Sequence, residues 1–202
     1  MYRIVFLKSL LVVCVFALPA LGQVAKQGTD VLSRDLSSAK VTLEVFVDYS
    51  CPACANFNLI LKEIGKIFPN DVKVIFRHLP LKIAGHEQSL LAAQAVEAAG
   101  IQGKFWEMSD LVLAKQKIWA IKHSAKPDFI RYAKTLGLDV EKFKTDMENI
   151  VVLQRIYADK ERAMSLNINA TPTGFLNGKQ LSVNETMVAQ ELEKAIKENI
   201  SK

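Results

Sequence analysis

The feature that most constrains this chain is a predicted strand that runs directly into a pair of cysteines. Residues 41–49 alternate apolar and other side chains and are rich in β-branched and aromatic types, which predicts a central strand. Cys51-Pro-Ala-Cys54 follows, and apolar residues then recur at helical spacing as far as Phe68. Pro52 falls at the first helical position, where its fixed φ suits a helix. The sequence therefore predicts a dithiol at a strand-to-helix junction, with Cys51 at or beside the N-cap.

This placement predicts different roles for the two thiols. The unpaired N–H groups at a helix N-terminus stabilise an anion, here the Cys51 thiolate. Cysteines in such settings have pKa values lowered to roughly 3.5–7.5. Cys54 lies one turn into the helix and deeper. We therefore expect Cys51 to be the exposed nucleophile and Cys54 the resolving thiol of a redox pair.

Two other roles for a Cys-x-x-Cys pair are weaker. A structural zinc site normally needs four ligands, and the chain has no second such motif, only scattered histidines at 78, 86 and 123. A structural disulfide across so short a loop removes little entropy from the unfolded chain. A carrier of a soft metal such as Cu(I), bound by Cys51 and Cys54, is an alternative from another class of protein, and it rests on the thiol spacing alone.

The N-terminus predicts the compartment. Residues 1–22 combine Arg3 and Lys8 with an apolar stretch, Pro19 and a small-residue end, the plan of a secretory signal peptide that is removed together with Cys14. Without this segment the chain keeps 24 basic and 21 acidic residues. That small excess of positive charge does not favour a nucleic-acid partner. We expect a protein that is exported, in a bacterial periplasm, and soluble after cleavage.

The rest of the chain predicts an α/β fold with a helical insertion. Residues 72–78 form a second strand, parallel to the first, and several helices follow before a hairpin at Asn177-Gly178. Strand structure is predicted over 173–183, and a last helix is predicted with Asn184 as its cap. The Lys-rich residues 115–126 are predicted to be a solvated loop, and a docking patch is the alternative.

Four segments carry a resemblance to a known family. They are FVDYSCPACANF (46–57), FRHLPL (76–81), AAQAVEAAGIQGKFWEM (92–108) and TPTGFLNGK (171–179). With them the chain resembles the DsbA family of exported thiol-disulfide oxidoreductases, within the thioredoxin superfamily. The resemblance implies a thioredoxin fold with a central mixed sheet and an inserted helical domain. The implied division is a signal peptide at 1–22, a first part of the thioredoxin-like domain at 23–83, the insertion at 84–166 and a second part at 167–202.

The same resemblance implies a function and further site residues. Thr171-Pro172 would form a cis peptide facing Cys51 and would bind an extended substrate strand. Unfolded or reduced exported proteins would be the substrates, a membrane partner would restore the redox state, and no organic cofactor or metal would be needed. The insertion would form part of a substrate groove, with Phe105, Trp106 and Met108 as candidates. Core packing is the preferred interpretation of these three side chains.

Three departures from the family pattern bear on the direction of the reaction. Ala53 stands where strongly oxidising members have histidine, so a less oxidising pair is expected. Val45 stands where thioredoxin-fold enzymes usually have a buried carboxylate, and Glu44 should face the other side of the strand. No proton acceptor for Cys54 is therefore identified, and Asp48 and a water molecule are the candidates for this role. Threonine at position 171, before the proline, resembles the pattern of disulfide isomerases and several reductases, whereas the strong oxidases have valine there. We predict a monomeric oxidase, with isomerase or reductase activity as the alternative.

Overall fold

The computed structural model describes residues 39–201, which form a four-stranded mixed sheet with helices on its faces. The central strand β1 (Val41–Val47) pairs in parallel with β2 (Val72–His78) and antiparallel with β3 (Thr173–Leu176). The short strand β4 (Lys179–Gln180) pairs antiparallel with β3, so the order is β2-β1-β3-β4. The predicted α/β class, the mixed sheet and the central position of the first strand are confirmed.

The alternating side chains of β1 separate two apolar layers. One face contributes to the main core, and its members are Val41, Leu43, Val45 and Val47. On the opposite face, Phe46 packs with Leu79, Ala163 and Phe175 in a smaller cluster. Because successive strand residues point to opposite faces, the strand that leads into the dithiol turn packs against apolar side chains on both of its faces.

Helix α1 (Pro52–Ile67) follows β1 after a tight turn, and it starts where the sequence predicts. Cys51 is its N-cap residue, with an extended backbone (φ −76°, ψ 118°), and Pro52 occupies the first turn. The buried face of the helix consists of Cys54, Phe57, Asn58, Leu61 and Ile64. This face anchors the dithiol to the main core.

Six helices lie between β2 and β3. They are α2 (Ser89–Ile101), α3 (Phe105–Ala114), α4 (Gln116–Trp119), α5 (Lys126–Thr135), α6 (Val140–Met147) and α7 (Ile150–Ser165). The predicted break near Asn149 is present, because the Asn149 side chain accepts a hydrogen bond from the N–H of Val151 and starts a new helix. The prediction of a solvated loop over 115–126 is wrong for α4, whose Gln116 and Trp119 are buried.

The C-terminal end differs from the prediction in two ways. The hairpin turns at Asn177 and Gly178, as expected, but strand structure ends at Gln180 rather than at residue 183. Instead of one helix capped by Asn184 there are two, α8 (Val183–Met187) and α9 (Ala189–Ile200). Ser182, and not Asn184, caps the first helix: its side chain accepts from the N–H of Glu185, and the Glu185 side chain accepts from the N–H of Ser182 in a capping box.

The six inserted helices fall within the predicted insertion of residues 84–166, although the division into domains stays a prediction. The proposed signal peptide at 1–22 and residues 23–38 lie outside the described part of the chain. Within residues 39–201, no helix is both long enough and apolar enough to cross a lipid bilayer.

Candidate active site

The dithiol lies at the turn between β1 and α1. The N–H of Cys51 donates to the carbonyl oxygen of Asp48 (3.1 Å), and the N–H of Cys54 donates to the carbonyl oxygen of Cys51 (3.0 Å). These bonds make a compact turn that leads into the first turn of the helix. Both cysteines are free thiols, Cys51 partly exposed and Cys54 only 1% exposed.

The Thr171-Pro172 loop faces the first thiol. Its peptide bond is cis, and the Cys51 Sγ donates to the carbonyl oxygen of Thr171 at 3.3 Å across 120 residues of sequence. The structure thus brings together the predicted site residues Cys51, Cys54, Thr171 and Pro172.

Hydrogen bonds lower the pKa of Cys51 from 9.0 to about 5. The largest cause is a hydrogen bond from the Cys54 thiol, while partial burial acts in the opposite direction. The backbone of Cys54, the side chain of Thr171 and the backbone of Ala53 lower it further. The two backbone groups belong to the first turn of α1, so the expected effect of the helix N-terminus is present, and the Cys54 thiol lowers the pKa more than either backbone group does alone.

Cys54 has the opposite character. Burial, the largest cause, raises the pKa of its thiol well above the ordinary value. The hydrogen bond that it makes to Cys51 and the negative charge of that sulfur raise it further. The pair thus consists of a partly exposed thiolate and a buried thiol, the arrangement that nucleophilic and resolving roles require.

The carboxylate of Asp48 is fully used for anchoring the active-site turn. One oxygen accepts from the N–H of Ser50 (2.7 Å) and from the hydroxyl of Ser89. The other accepts from the N–H of Leu81 (2.7 Å) and from His86 Nδ1 (2.9 Å). Asp48 therefore ties the dithiol turn to the segment after β2, and the guess that it takes the proton of Cys54 gains no support.

Glu44 lies on the other face of β1, as its position in the strand predicts. Its carboxylate accepts from Arg77 Nε (2.9 Å) and from Arg162 Nη2 (3.2 Å). Burial raises the pKa of Glu44, but the hydrogen bonds and charges of Arg162 and Arg77 outweigh burial and leave the pKa lowered. This carboxylate is a structural anion and does not reach the dithiol side of the sheet.

Gln116 is a site residue that the sequence reasoning missed. Its Nε2 donates to the carbonyl oxygens of Tyr49 (2.6 Å) and Cys51 (2.9 Å), on either side of the active-site turn. The residue is buried in α4, so the inserted helices hold the turn directly. No local pattern predicts this contact, because it spans more than 60 residues and lies in a segment that the sequence indicates as loop.

The three aromatic and sulfur-containing candidates for a substrate groove belong to the core. Met108 is buried, and Phe105 packs edge-on against Phe76 with ring centroids 5.7 Å apart. Trp106 is partly buried against the same ring. The preferred interpretation of these side chains as core packing is confirmed.

The three histidines have separate surroundings. His78 Nε2 and Glu97 Oε1 form a buried pair at 2.8 Å, His86 bonds to Asp48, and His123 is exposed. Within residues 39–201 there is no group of three or more His, Cys, Asp or Glu side chains placed to hold a metal ion.

Together these features define a class of protein. A mixed sheet with a Cys-x-x-Cys turn after its central strand, and a cis X-Pro peptide facing the first sulfur, is the arrangement of a thioredoxin fold. The family model for thioredoxin matches residues 36–198. The chain therefore belongs to the thioredoxin family.

Solved structures support this assignment. BdbD from Bacillus subtilis is 25% identical with a TM-score of 0.72, and the match covers 87% of this chain and 98% of that one. A thioredoxin-like oxidoreductase from Silicibacter pomeroyi DSS-3 is 27% identical with a TM-score of 0.63, over 80% of this chain and 90% of that one. The thiol-disulfide exchange protein alpha-DsbA2 from Wolbachia pipientis, at 21% identity and a TM-score of 0.65 over 80% and 83%, shares the fold.

Curated relatives of higher identity carry a different name. A Na(+)/H(+) antiporter NhaA 1 from Mycolicibacterium gilvum (strain PYR-GCK) is 36% identical over 151 residues, which are 73% of this chain and 23% of the antiporter. An antiporter NhaA from Herminiimonas arsenicoxydans is 35% identical over 148 residues, 73% and 22% of the two chains. The chain thus spans less than a quarter of the length of these relatives, and their transport activity belongs to them.

Proposed function

We propose that this chain is a protein thiol-disulfide oxidoreductase that works as an oxidase and introduces disulfides into other exported proteins. The observation that carries the proposal is the contrast between the two thiols. Cys51 is partly exposed with a pKa of about 5, while Cys54 is buried with a raised pKa. The solved structure of an oxidoreductase among the similar proteins supports the same class of reaction.

The low pKa of Cys51 favours the oxidase direction. A stabilised thiolate exists only in the dithiol form, so it makes the disulfide a stronger oxidant. The reactive cysteine has a pKa of roughly 7 in the reductant thioredoxin and roughly 3.5 in the strong oxidant DsbA. A value of about 5 lies between them. This agrees with the expectation from Ala53 of an oxidase weaker than the strongest members.

The proposed reaction conserves electrons and protons without a cofactor. A substrate thiolate attacks the Cys51 sulfur of the oxidised protein, the bond between Cys51 and Cys54 breaks, and Cys54 leaves and takes up a proton. A second substrate thiolate then attacks the substrate sulfur of the mixed disulfide, and Cys51 leaves as a thiolate. The substrate loses two electrons and the protein gains them.

The Thr171 backbone, whose carbonyl oxygen faces the Cys51 sulfur, would pair with an extended substrate segment during both steps. Turnover needs a membrane redox partner that reoxidises the dithiol, and a monomer suffices for the chemistry. The signal-peptide pattern at 1–22 supports an exported location.

The reduction potential of the Cys51-Cys54 pair tests the direction. Equilibration with glutathione buffers should give a reduction potential between about −200 mV and about −120 mV, the value of DsbA. For comparison, the potential of thioredoxin is about −270 mV. A value near −270 mV would contradict the oxidase and support the alternative, a reductase or isomerase, which Thr171 before the proline favours. Each difference of about 30 mV corresponds to about 1.4 kcal/mol for this couple.

Two variants test the roles of the sulfurs. Cys51→Ser should abolish exchange with the fold intact, as measured by oxidation of a reduced protein substrate and by circular dichroism. Cys54→Ser, mixed with a substrate that contains a disulfide, should accumulate mixed disulfides, because Cys51 attacks that disulfide, one substrate thiolate leaves and no Cys54 thiol resolves the adduct. Non-reducing electrophoresis detects these adducts. If no adduct forms with Cys54→Ser but adducts form when Cys51 is replaced, the assignment of the nucleophile is wrong.

A further inference from the structure

A groove of about 540 Å³ opens beside the active-site turn, on the side of the inserted helices. Ser50 and Pro52, the two neighbours of Cys51, form one wall. Two segments form the other walls, and their lining residues are Gly85, Glu87 and Gln88 from the segment before α2, and Gln116, Lys117, Ala120, Ile121, Lys122 and His123 from α4 and the loop after it. The groove therefore begins at the two residues that flank Cys51.

Side-chain amides hold the walls of the groove in place. Gln116 donates to the carbonyl oxygen of Cys51 (2.9 Å), which fixes α4 against the active-site turn. Gln88 donates to the carbonyl oxygen of His123 (3.0 Å) and accepts from the N–H of Ala125 (3.0 Å). Because these bonds join all three walls, the groove is formed before any substrate arrives, as in most ligand sites.

Two lysines and one glutamate line the groove. Lys117 is exposed and makes no ion pair with the described residues, whereas Lys122 contacts both oxygens of the buried Asp128 (2.8 and 2.7 Å). Glu87 is the only acidic side chain among the lining residues, and its Oε1 already accepts from the N–H of Gly85 (3.0 Å).

An exposed apolar side chain stands next to these lysines. Ile121 is 86% exposed at the edge of the groove. An apolar contact flanked by positive charge suits an unfolded segment that carries both apolar and acidic side chains.

We propose that this groove binds the part of a substrate polypeptide next to its reacting cysteine, and that Lys117, helped by Ile121, makes the protein select cysteines with acidic neighbours. The inference rests on the proposed oxidase function and adds a substrate class to it. Charge complementarity of this kind acts mainly on the rate of encounter and on the choice of partner. The reaction is the exchange described above, and the groove contributes only binding.

The test uses three dithiol peptides that differ only in the residues beside the first cysteine, which are Glu, Gln or Lys. The oxidised full chain is mixed with each peptide, and the rate of formation of the reduced protein is measured after alkylation. We expect the Glu peptide to react at least about threefold faster than the Lys peptide, with a smaller ratio at high salt. Lys117→Glu should lower or invert this ratio. Lys194→Glu in α9, an exposed residue outside the groove lining with the same change in charge, should preserve it.

Equal rates for the three peptides, or equal effects of Lys117→Glu and Lys194→Glu, would overturn the proposal. A second measurement separates the groove from the chemistry. The same peptides with serine in place of cysteine bind without exchange, so their affinities should follow the order Glu, Gln, Lys even if the oxidase proposal fails. If no peptide is oxidised but the affinities still follow this order, only the proposed oxidase function is contradicted. If the affinities do not follow this order, the proposed role of the groove is contradicted.

Discussion

The Cys54 thiol is the largest cause of the low pKa of Cys51, so its replacement is the sharpest perturbation of the site. Cys54→Ala removes the hydrogen-bond donor and leaves the helix N-terminus intact. Cys54→Ser is the matched variant, because a serine hydroxyl can still donate to the thiolate. The pair of variants therefore separates the donor from the space that its side chain fills.

The structure allows an estimate of the effect. A hydrogen bond to a charged group is worth about 1.5–3 kcal/mol. One pKa unit corresponds to about 1.36 kcal/mol, so the loss would raise the pKa by about 1–2 units. Cys51 is partly exposed and water screens the interaction, so we expect the lower end of this range. The pKa of Cys51 in Cys54→Ala should thus rise from about 5 to about 6.

The assay is the ultraviolet absorbance of the thiolate in the reduced protein, followed from acid to alkaline pH. The midpoint of Cys54→Ala should lie above that of the wild type, and the midpoint of Cys54→Ser should lie between them. Cys51→Ala is the control and should show no step in the acid range. A midpoint that is the same in Cys54→Ala and in the wild type would refute the role of Cys54 as the donor.

Three further predictions follow from the same contacts. The pKa of Cys51 is lower in the folded reduced protein (about 5) than in the unfolded chain (9.0), so its thiolate adds stability to the reduced form. This stability is full above about pH 9 and is lost as the pH falls through about 5. In urea unfolding, the stability of the reduced form relative to the oxidised form should therefore be larger at about pH 8 than at about pH 4. Gln116→Met leaves the carbonyls of Tyr49 and Cys51 without their side-chain donor and should cost about 1–3 kcal/mol in urea unfolding, and an unchanged midpoint would contradict this. Glu44→Gln removes the anion of Arg162, while Arg77 keeps its ion pair with Asp159, so the change should cost about 1–2 kcal/mol in urea unfolding. The reduction potential should stay unchanged because Glu44 lies on the other face of β1, and a shifted potential would show that this face is coupled to the dithiol.

The parts of the site that the sequence predicts are those with local signals. The strand before Cys51, the helix after it and Pro52 at the first helical position are all read from consecutive residues, and the structure has them where predicted. The pairing of Thr171 with Cys51 is not local, and only the family resemblance indicated it. The family resemblance therefore predicted a long-range contact that the periodicity of the sequence cannot predict.

The sequence-based predictions that the structure contradicts also failed for physical reasons. Ser182 and Glu185 are spaced as a capping box, a signal present in the sequence, but the expected cap was placed at Asn184, two residues later. Helix α4 has only four residues, which is too short for a helical period to be visible. Gln116 lies in that helix, so both its burial and its two hydrogen bonds to the active-site turn depend on tertiary packing that no local pattern records.

The location of protons around Cys54 also bears on the direction of the reaction. The Asp48 carboxylate is occupied by four donors, and Glu44 is bound to two arginines on the other face of the sheet. Neither is available to take the proton of Cys54, whose pKa burial raises. In a mixed disulfide on Cys51, Cys54 therefore attacks slowly as a neutral thiol, whereas a second substrate cysteine with a pKa near its ordinary value of about 8.5 provides more thiolate. A mixed disulfide resolved by the substrate releases an oxidised substrate, so this arrangement supports the proposed oxidase direction.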